Sequence, residues 1–428
     1  MKILLINYRF FLTGGPERYM FNVISLLESK GHEVIPFSVL HKKNKSCRYE
    51  EFFLSPIGRG DEVFFTDYSF KNPFDILKIF GRMFYSFEAK RKLSKLIKKT
   101  KPDVIYCLQY QSKISCSVIS AARKYGIPFV QRISDYAQIC PNRYYYNQRK
   151  NQICEKCEGT HFYRAVREKC LYGSSFFSAV KAAATYFQQW YGIKKKIDAF
   201  AFTSPFTRKK FIEAGYDEKK TFWLPTFYNE KLSDFDVNVK YNHYALYVGR
   251  LDQDKGIENL IKAFVKTGRP LKLIGFSTTP NYEDYLKSLV PEESRQIEFL
   301  GKMEFAQIRQ HLADCLFTVI PSDWYDNLPN TILESFAFKK CVVTTAVGSL
   351  KAAVQDGHSG FLFKYRDVDD LAKKTEELFL HPEKAVEMGM NAYELSKTLY
   401  SSEEHYERLM GIFKKVIDRT KAVKDGAV

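Results

Sequence analysis

Short apolar runs alternate with glycine or proline turns and helix-period segments from the first residues onward. Residues 2–6 read as a buried strand, Gly14-Gly15-Pro16 as a turn, Tyr19, Val23, Leu26 and Leu27 as one helical face, and 32–39 as a second strand. A strand returns parallel to its predecessor only through such a crossover. The order therefore predicts an α/β fold with a doubly wound, Rossmann-like parallel sheet. Runs at 104–108, 129–133 and 199–204 extend it, and those at 244–250, 271–275, 297–302, 317–322 and 341–343 repeat it. At 428 residues the chain exceeds the size at which one core keeps growing, so two such domains are expected. The boundaries are drawn at 1–225, a linker at 226–242, a second domain at 243–400 and a final helix at 401–428.

Charge divides the chain more sharply than composition does. Residues 1–200 hold 34 Lys and Arg against 16 Asp and Glu, whereas the remainder holds 32 against 33. A field of that sign draws the first half towards an anionic lipid surface, a diphosphate or nucleic acid. No run approaches 18 uncharged apolar residues, and the N-terminus reads as a strand rather than a leader. A cytoplasmic chain is expected, peripheral at most on the inner face of a membrane. Residues 76–100 read as one basic helix with Leu77, Phe80, Phe84 and Phe87 among its cations. Both an interfacial helix and a solvated charged face fit that pattern. The aromatic and basic stretch at 141–196 contains no nucleic-acid module, so nucleic acid is not an expected partner.

Three sequence clusters carry chemistry. Asn327, Asn330 and Thr331 surround Pro329, which places a helix start there, with unpaired N–H groups that suit phosphate. Glu334 follows about one turn inside. Arg250 and Lys255 lie on one strand-to-helix loop after Gly249, spaced so that a guanidinium fork and an ammonium can meet on one diphosphate. Cys140, Cys154, Cys157 and Cys170 form the third cluster, with Cys154 and Cys157 two residues apart. In a reducing compartment that spacing favours a structural zinc site, with plain core thiols and a redox pair as alternatives.

The segment 324–334 resembles the nucleotide-binding signature of the retaining glycosyltransferases of family 4, the glycosyl transferases group 1 of bacterial surface-polysaccharide type. There two acids separated by seven residues bracket a loop and a helix start. The resemblance spans nearly the whole chain and is strongest over 244–364. It implies a GT-B fold, two domains facing across a cleft, the second binding the donor and the last helix crossing back. It places Glu334 on the ribose and Asp326, an Asp where the family has Glu, against the donor sugar. Arg250 and Lys255 hold the diphosphate, and the loop carrying Lys302 and Met303 contacts the base. Gly249, Asn327, Leu328, Pro329, Asn330 and Thr331 complete the donor side, and Gly14 and Gly15 form the acceptor loop. Asp135 is an acceptor-side carboxylate or a turn cap, and Ser134 stands where relatives place His.

The implied reaction moves a sugar from a nucleotide diphosphate sugar, UDP before GDP, to a hydroxyl of a saccharide or lipid-linked saccharide. Arg250, Lys255 and Asp326 are its catalytic set, and no catalytic metal is implied. A GT-B epimerase or phosphorylase and a non-catalytic glycan- or lipid-binding protein are the alternatives.

Overall fold

The computed structural model describes residues 1–62, 73–228 and 238–424. Six parallel strands build the first sheet: β1 (Lys2–Ile6), β2 (Glu33–Phe37), β3 (Val104–Cys107), β4 (Phe129–Ile133), β7 (Ala199–Phe202) and β8 (Thr221–Trp223). Their order is β2-β1-β3-β4-β7-β8. Between β4 and β7 the chain inserts a two-residue-per-strand hairpin, β5 (Tyr146–Asn147) with β6 (Gln152–Ile153), and the helix Ser175–Tyr191. The second sheet holds β9 (Ala245–Val248), β10 (Leu271–Ile274), β11 (Ile297–Gly301), β12 (Phe317–Ile320), β13 (Val342–Thr345) and β14 (Gly360–Phe363). It runs β11-β10-β9-β12-β13-β14, again parallel. These strands are buried along nearly their whole length, as they must be with helices on both faces.

In each sheet the strand order reverses at one place, between β1 and β3 and between β9 and β12. Side chains from the flanking connections diverge there, which leaves a crevice beyond the carboxyl ends of the strands. The two crevices face each other, and loops from both line a single cleft.

The sequence reading needs one correction here. The expected single helix over 76–100 is two helices, Pro73–Met83 and Phe87–Thr100. Ser86 breaks it by capping the second, its hydroxyl accepting from the Ala89 N–H at 3.2 Å while its own N–H goes to Ser115 Oγ at 2.9 Å. A residue with that many local partners is worth more as a cap than inside a helix. Of the linker drawn at 226–242, residues 229–237 lie outside the described residues, as do 425–428 of the last helix.

The chain passes between the domains twice, and the two passages touch. The Tyr228 N–H donates to the Tyr400 carbonyl at 3.2 Å. Beyond the second passage, the helix Ser402–Lys424 sets Leu409, Ile412, Phe413 and Val416 into the apolar layer of the first sheet with Ile3 and Leu5. His405 anchors its start, with Nδ1 2.8 Å from the Pro225 carbonyl and Nε2 3.0 Å from the Tyr19 hydroxyl. Burial, aided by the neighbouring Arg132 charge, pushes that imidazole down to about 3, so it is neutral and donates to the carbonyl.

Candidate active site

The cleft has a volume of about 470 Å³ and is lined from both domains. On the donor side, β9 ends at Val248 and the chain turns through Gly249 and Arg250. A Cβ built on Gly275 would sit 1.7 Å from the Gly249 carbonyl oxygen, so the crossing loop needs its glycine there, and one on Gly249 would sit 2.7 Å from the Tyr247 hydroxyl. Arg250 is held by carboxylates of its own loop, Asp252 on one arm and Asp254 at 2.9 Å on the other. Lys255 pairs instead with Asp326, whose carboxylate also accepts from Ser322 Oγ at 3.3 Å. The two cations thus rest on separate acids of the same site, so its charge is balanced within the protein.

Gly256 closes this loop and opens the helix Ile257–Thr267. Its φ is +69°, and a Cβ would stand 2.0 Å from the Pro321 carbonyl oxygen. Behind it Asp323 is buried, which pushes its carboxyl up to about 6 against the opposing pull of Arg366 at 2.9 Å.

Pro329 precedes the helix Asn330–Ala337, and the loop leading to it puts Leu328 at φ +47°, a conformation a branched side chain rarely adopts. Thr331 ties the helix start to the end of β9 through the Val248 carbonyl at 3.3 Å. Glu334 is 5% exposed, and its carboxylate receives Arg18 Nη1 at 2.5 Å. Arg18 belongs to the opposite domain, on the helix Gly15–Ser29, and its guanidinium also lies 4.2 Å from the centre of the Phe305 ring.

The first domain comes close to the loop of the second at Gly15. A Cβ there would lie 3.1 Å from Asn330 Nδ2, a tight contact that the Asn330 side chain must yield to, whereas Gly14 has open space around it. Asn327 lines the cleft, yet its side chain bridges the domains, donating to the Ser134 carbonyl at 3.0 Å and accepting from Thr207 Oγ1 at 2.5 Å. Asp135 does not line the cleft. Its carboxylate accepts the Ala137 N–H at 2.8 Å and Arg143 at 2.6 Å, which makes it a turn cap and an ion-pair partner. Lys302 also stands outside the lining, with its ammonium 5.4 Å from the Phe276 ring; Phe305 and Ile308 take the wall there.

Arg18, Trp324 and Arg132 also line the cleft, with no individual role in the sequence reading. Trp324 carries Lys255 Nζ over its ring at 5.2 Å and meets Tyr144 of the insertion edge-on at 5.3 Å. Arg132 lies over the Tyr19 ring at 3.6 Å and donates to Thr226 Oγ1 at 2.7 Å. An arginine inside the otherwise buried strand β4 is itself a signal that strand assignment alone ignores.

The four clustered cysteines are all free thiols. Among the described residues no group of three or more His, Cys, Asp or Glu is arranged to hold a metal ion. Cys140 donates to Asn142 Oδ1 at 2.9 Å, and burial pushes its thiol up to about 11 and that of Cys170 up to about 12.

Residues 230–395 match the family model described as Glycosyl transferases group 1. An uncharacterized glycosyltransferase of Methanocaldococcus jannaschii is 29% identical over 188 residues, 44% of this chain and about half (53%) of its own length. Two solved structures align over almost the whole of both chains. Sucrose-phosphate synthase from Thermosynechococcus elongatus superposes with a TM-score of 0.68 at 16% identity, covering 98% of this chain and 99% of its own. The Anabaena protein HepE, in complex with UDP and glucose, gives 0.62 at 15%, covering 97% and 100%.

The fold is therefore the GT-B scaffold of these solved structures. The second domain matches the glycosyl transferases group 1 model.

Proposed function

We propose that the protein transfers a sugar from a nucleotide diphosphate sugar, UDP-linked in preference to GDP-linked, to a hydroxyl of a saccharide or lipid-linked saccharide. The observation that carries this reading is the convergence of Arg250, Lys255, Asp326, Glu334 and the Asn330–Ala337 helix start on one interdomain cleft. The similarity to HepE, which holds UDP and glucose, favours UDP.

The chemistry follows from charge. The bond between the anomeric carbon and the diphosphate oxygen breaks, the electron pair leaves with the nucleotide, and the acceptor oxygen bonds to the same carbon. Arg250, Lys255 and the N–H groups at the helix start stabilise the departing diphosphate. Attack from the face the diphosphate leaves, with the acceptor proton passing to a phosphate oxygen, gives retention and needs no protein nucleophile. Asp326 then orients sugar hydroxyls once Lys255 has turned to the phosphates, and Glu334 takes the ribose once Arg18 withdraws. A role in making surface polysaccharide belongs to the same proposal.

Thermal unfolding beside UDP, GDP, ADP and CMP tests it. A nucleotide at about a hundred times its dissociation constant adds roughly 2.7 kcal/mol, and each kcal/mol raises the midpoint by about 2 to 4 °C in a domain of this size. UDP is expected to give the largest shift. If none of the four moves the midpoint, the donor-site reading is wrong.

A further inference from the structure

The first domain carries an apolar surface formed by residues that do not line the cleft. The helix Pro73–Met83 turns Phe74, Leu77 and Phe80 outward, with Leu77 71% exposed. Phe87, at the start of the next helix, is 78% exposed, and Trp190, near the end of the insertion helix, is 82% exposed. Large side chains left that open cost solubility and are uncommon on a monomer's surface unless something covers them.

They belong to one patch. Phe87 lies 5.3 Å from Tyr85, Tyr85 lies 6.1 Å from Tyr191, Tyr191 stacks on Phe187, and Phe187 touches Trp190 at 5.7 Å and Phe84 at 5.6 Å. Phe84 follows Phe80 by one helical turn. Three helices, two consecutive and one far along the chain, thus expose a single aromatic strip.

Cations edge that strip. Lys196 Nζ lies 3.8 Å from the Tyr191 ring centre and Lys90 Nζ 6.0 Å from that of Tyr85. Arg91 is exposed one turn beyond Phe87, and Lys195 is exposed beside Lys196. Among the described residues none of these four has a carboxylate at ion-pair distance, in contrast to Lys99 with Glu51 and Arg123 with Asp198. A second copy of the chain would set cations against cations across a self-paired patch. A surface that offers apolar depth and negative charge together satisfies both features.

We propose that this strip, formed by Leu77, Phe80, Phe87 and Trp190 and edged by Arg91 and Lys195, seats the first domain on an anionic lipid bilayer. No helix among the described residues is long and apolar enough to cross a membrane, so the contact is interfacial. The assignment deepens the lipid-linked acceptor reading and rests on it for its purpose, since an acceptor held at a bilayer is reached only by an enzyme docked there. The aromatics enter the headgroup and upper acyl region, and the cations face phosphates.

Co-sedimentation of the full chain with vesicles of phosphatidylglycerol and phosphatidylcholine, against phosphatidylcholine alone, tests the surface. The wild type is expected to sediment with the anionic vesicles only. Arg91→Glu with Lys195→Glu is expected to weaken that binding by at least about fivefold per cation. Phe87→Ser with Trp190→Ser removes two buried rings and is expected to weaken it by on the order of tenfold or more. All four positions are exposed, and an unchanged melting midpoint confirms the fold. No sedimentation, equal sedimentation with both vesicles, or variants that bind like the wild type would overturn the proposal. So would a concentration-dependent dimer that these variants abolish, because the strip would then belong to a second copy. The UDP shift measured on the same samples keeps the two readings apart. Nucleotide binding without vesicle binding refutes the docking surface alone, and the converse refutes the transfer reading alone.

Discussion

Arg250→Ala is expected to lower kcat by about 10²- to 10³-fold, the cost of removing one preorganised donor to a charge that develops in the transition state. The guanidinium already stands at the end of β9, fixed by Asp252 and by Asp254 at 2.9 Å, so little reorganisation accompanies its transfer to the diphosphate. The same fixing sets a control. Alanine leaves Asp252, itself buried, beside Asp254 with no cation between them, so some loss of stability accompanies the loss of rate. Arg250→Lys separates the two effects. It keeps the charge near both acids and should restore the melting midpoint, but a point charge cannot span two phosphate oxygens, so most of the rate defect should persist. Single-turnover rates with saturating nucleotide sugar, measured beside the thermal midpoint, give both numbers. A kcat within threefold of the wild type in the alanine variant would remove Arg250 from the catalytic set.

The second large effect is conformational. Gly256→Ala forces a left-handed backbone, at about 1 to 2 kcal/mol, and sets a methyl group where the Pro321 carbonyl oxygen already stands, at about 1 to 3 kcal/mol more. A destabilisation of roughly 2 to 5 kcal/mol is expected, which lowers the midpoint by about 5 to 15 °C. Because Gly256 joins Lys255 to the helix Ile257–Thr267 and packs on the loop after β12, the strain falls on the two segments that carry Lys255 and Asp326. Nucleotide affinity should therefore fall along with stability. Gly268→Ala, at the other end of the helix, has φ +65° but nothing within 4 Å of the added methyl group. It should show the backbone cost alone and leave nucleotide binding intact. Equal effects from both substitutions would mean that the Pro321 contact yields easily.

What the sequence made legible follows from range. Crossover units are local, so the alternation of apolar runs and helical faces was enough to predict both parallel sheets. The loop holding Arg250 and Lys255 is also local, spanning residues 249–256 between β9 and its helix, and the reading placed both cations on it. It did not foresee that each would rest on a separate acid. The pairing of Lys255 with Asp326 depends on β9 and β12 lying side by side, a fact of topology. Arg18 and Glu334 are 316 positions apart, and no local pattern announces their contact. The helix over 76–100 misled because periodicity survives across Ser86, and only the hydrogen bonds made by that serine show the break. For the four cysteines the spacing was compatible with a closed loop, but spacing says nothing of which way each thiol turns.

The paired passages near Pro225–Tyr228 and Thr398–Tyr400 make a strap of two adjacent cords rather than a single tether. One cord would let the halves swivel and twist independently. Two cords, cross-linked at Tyr228 to Tyr400 and pinned by His405, let them swing about one axis and resist torsion. The contacts on the far side of that axis, Arg18 with Glu334, Thr207 with Asn327 and Arg366 with the Asn151 carbonyl, then part or meet as a set. Spin-label distances across two of these pairs should change together on adding UDP, and independent changes would show that the strap does not govern the swing. Such a machine has one gape coordinate, and whatever sets its angle sets access to donor and acceptor in the same stroke.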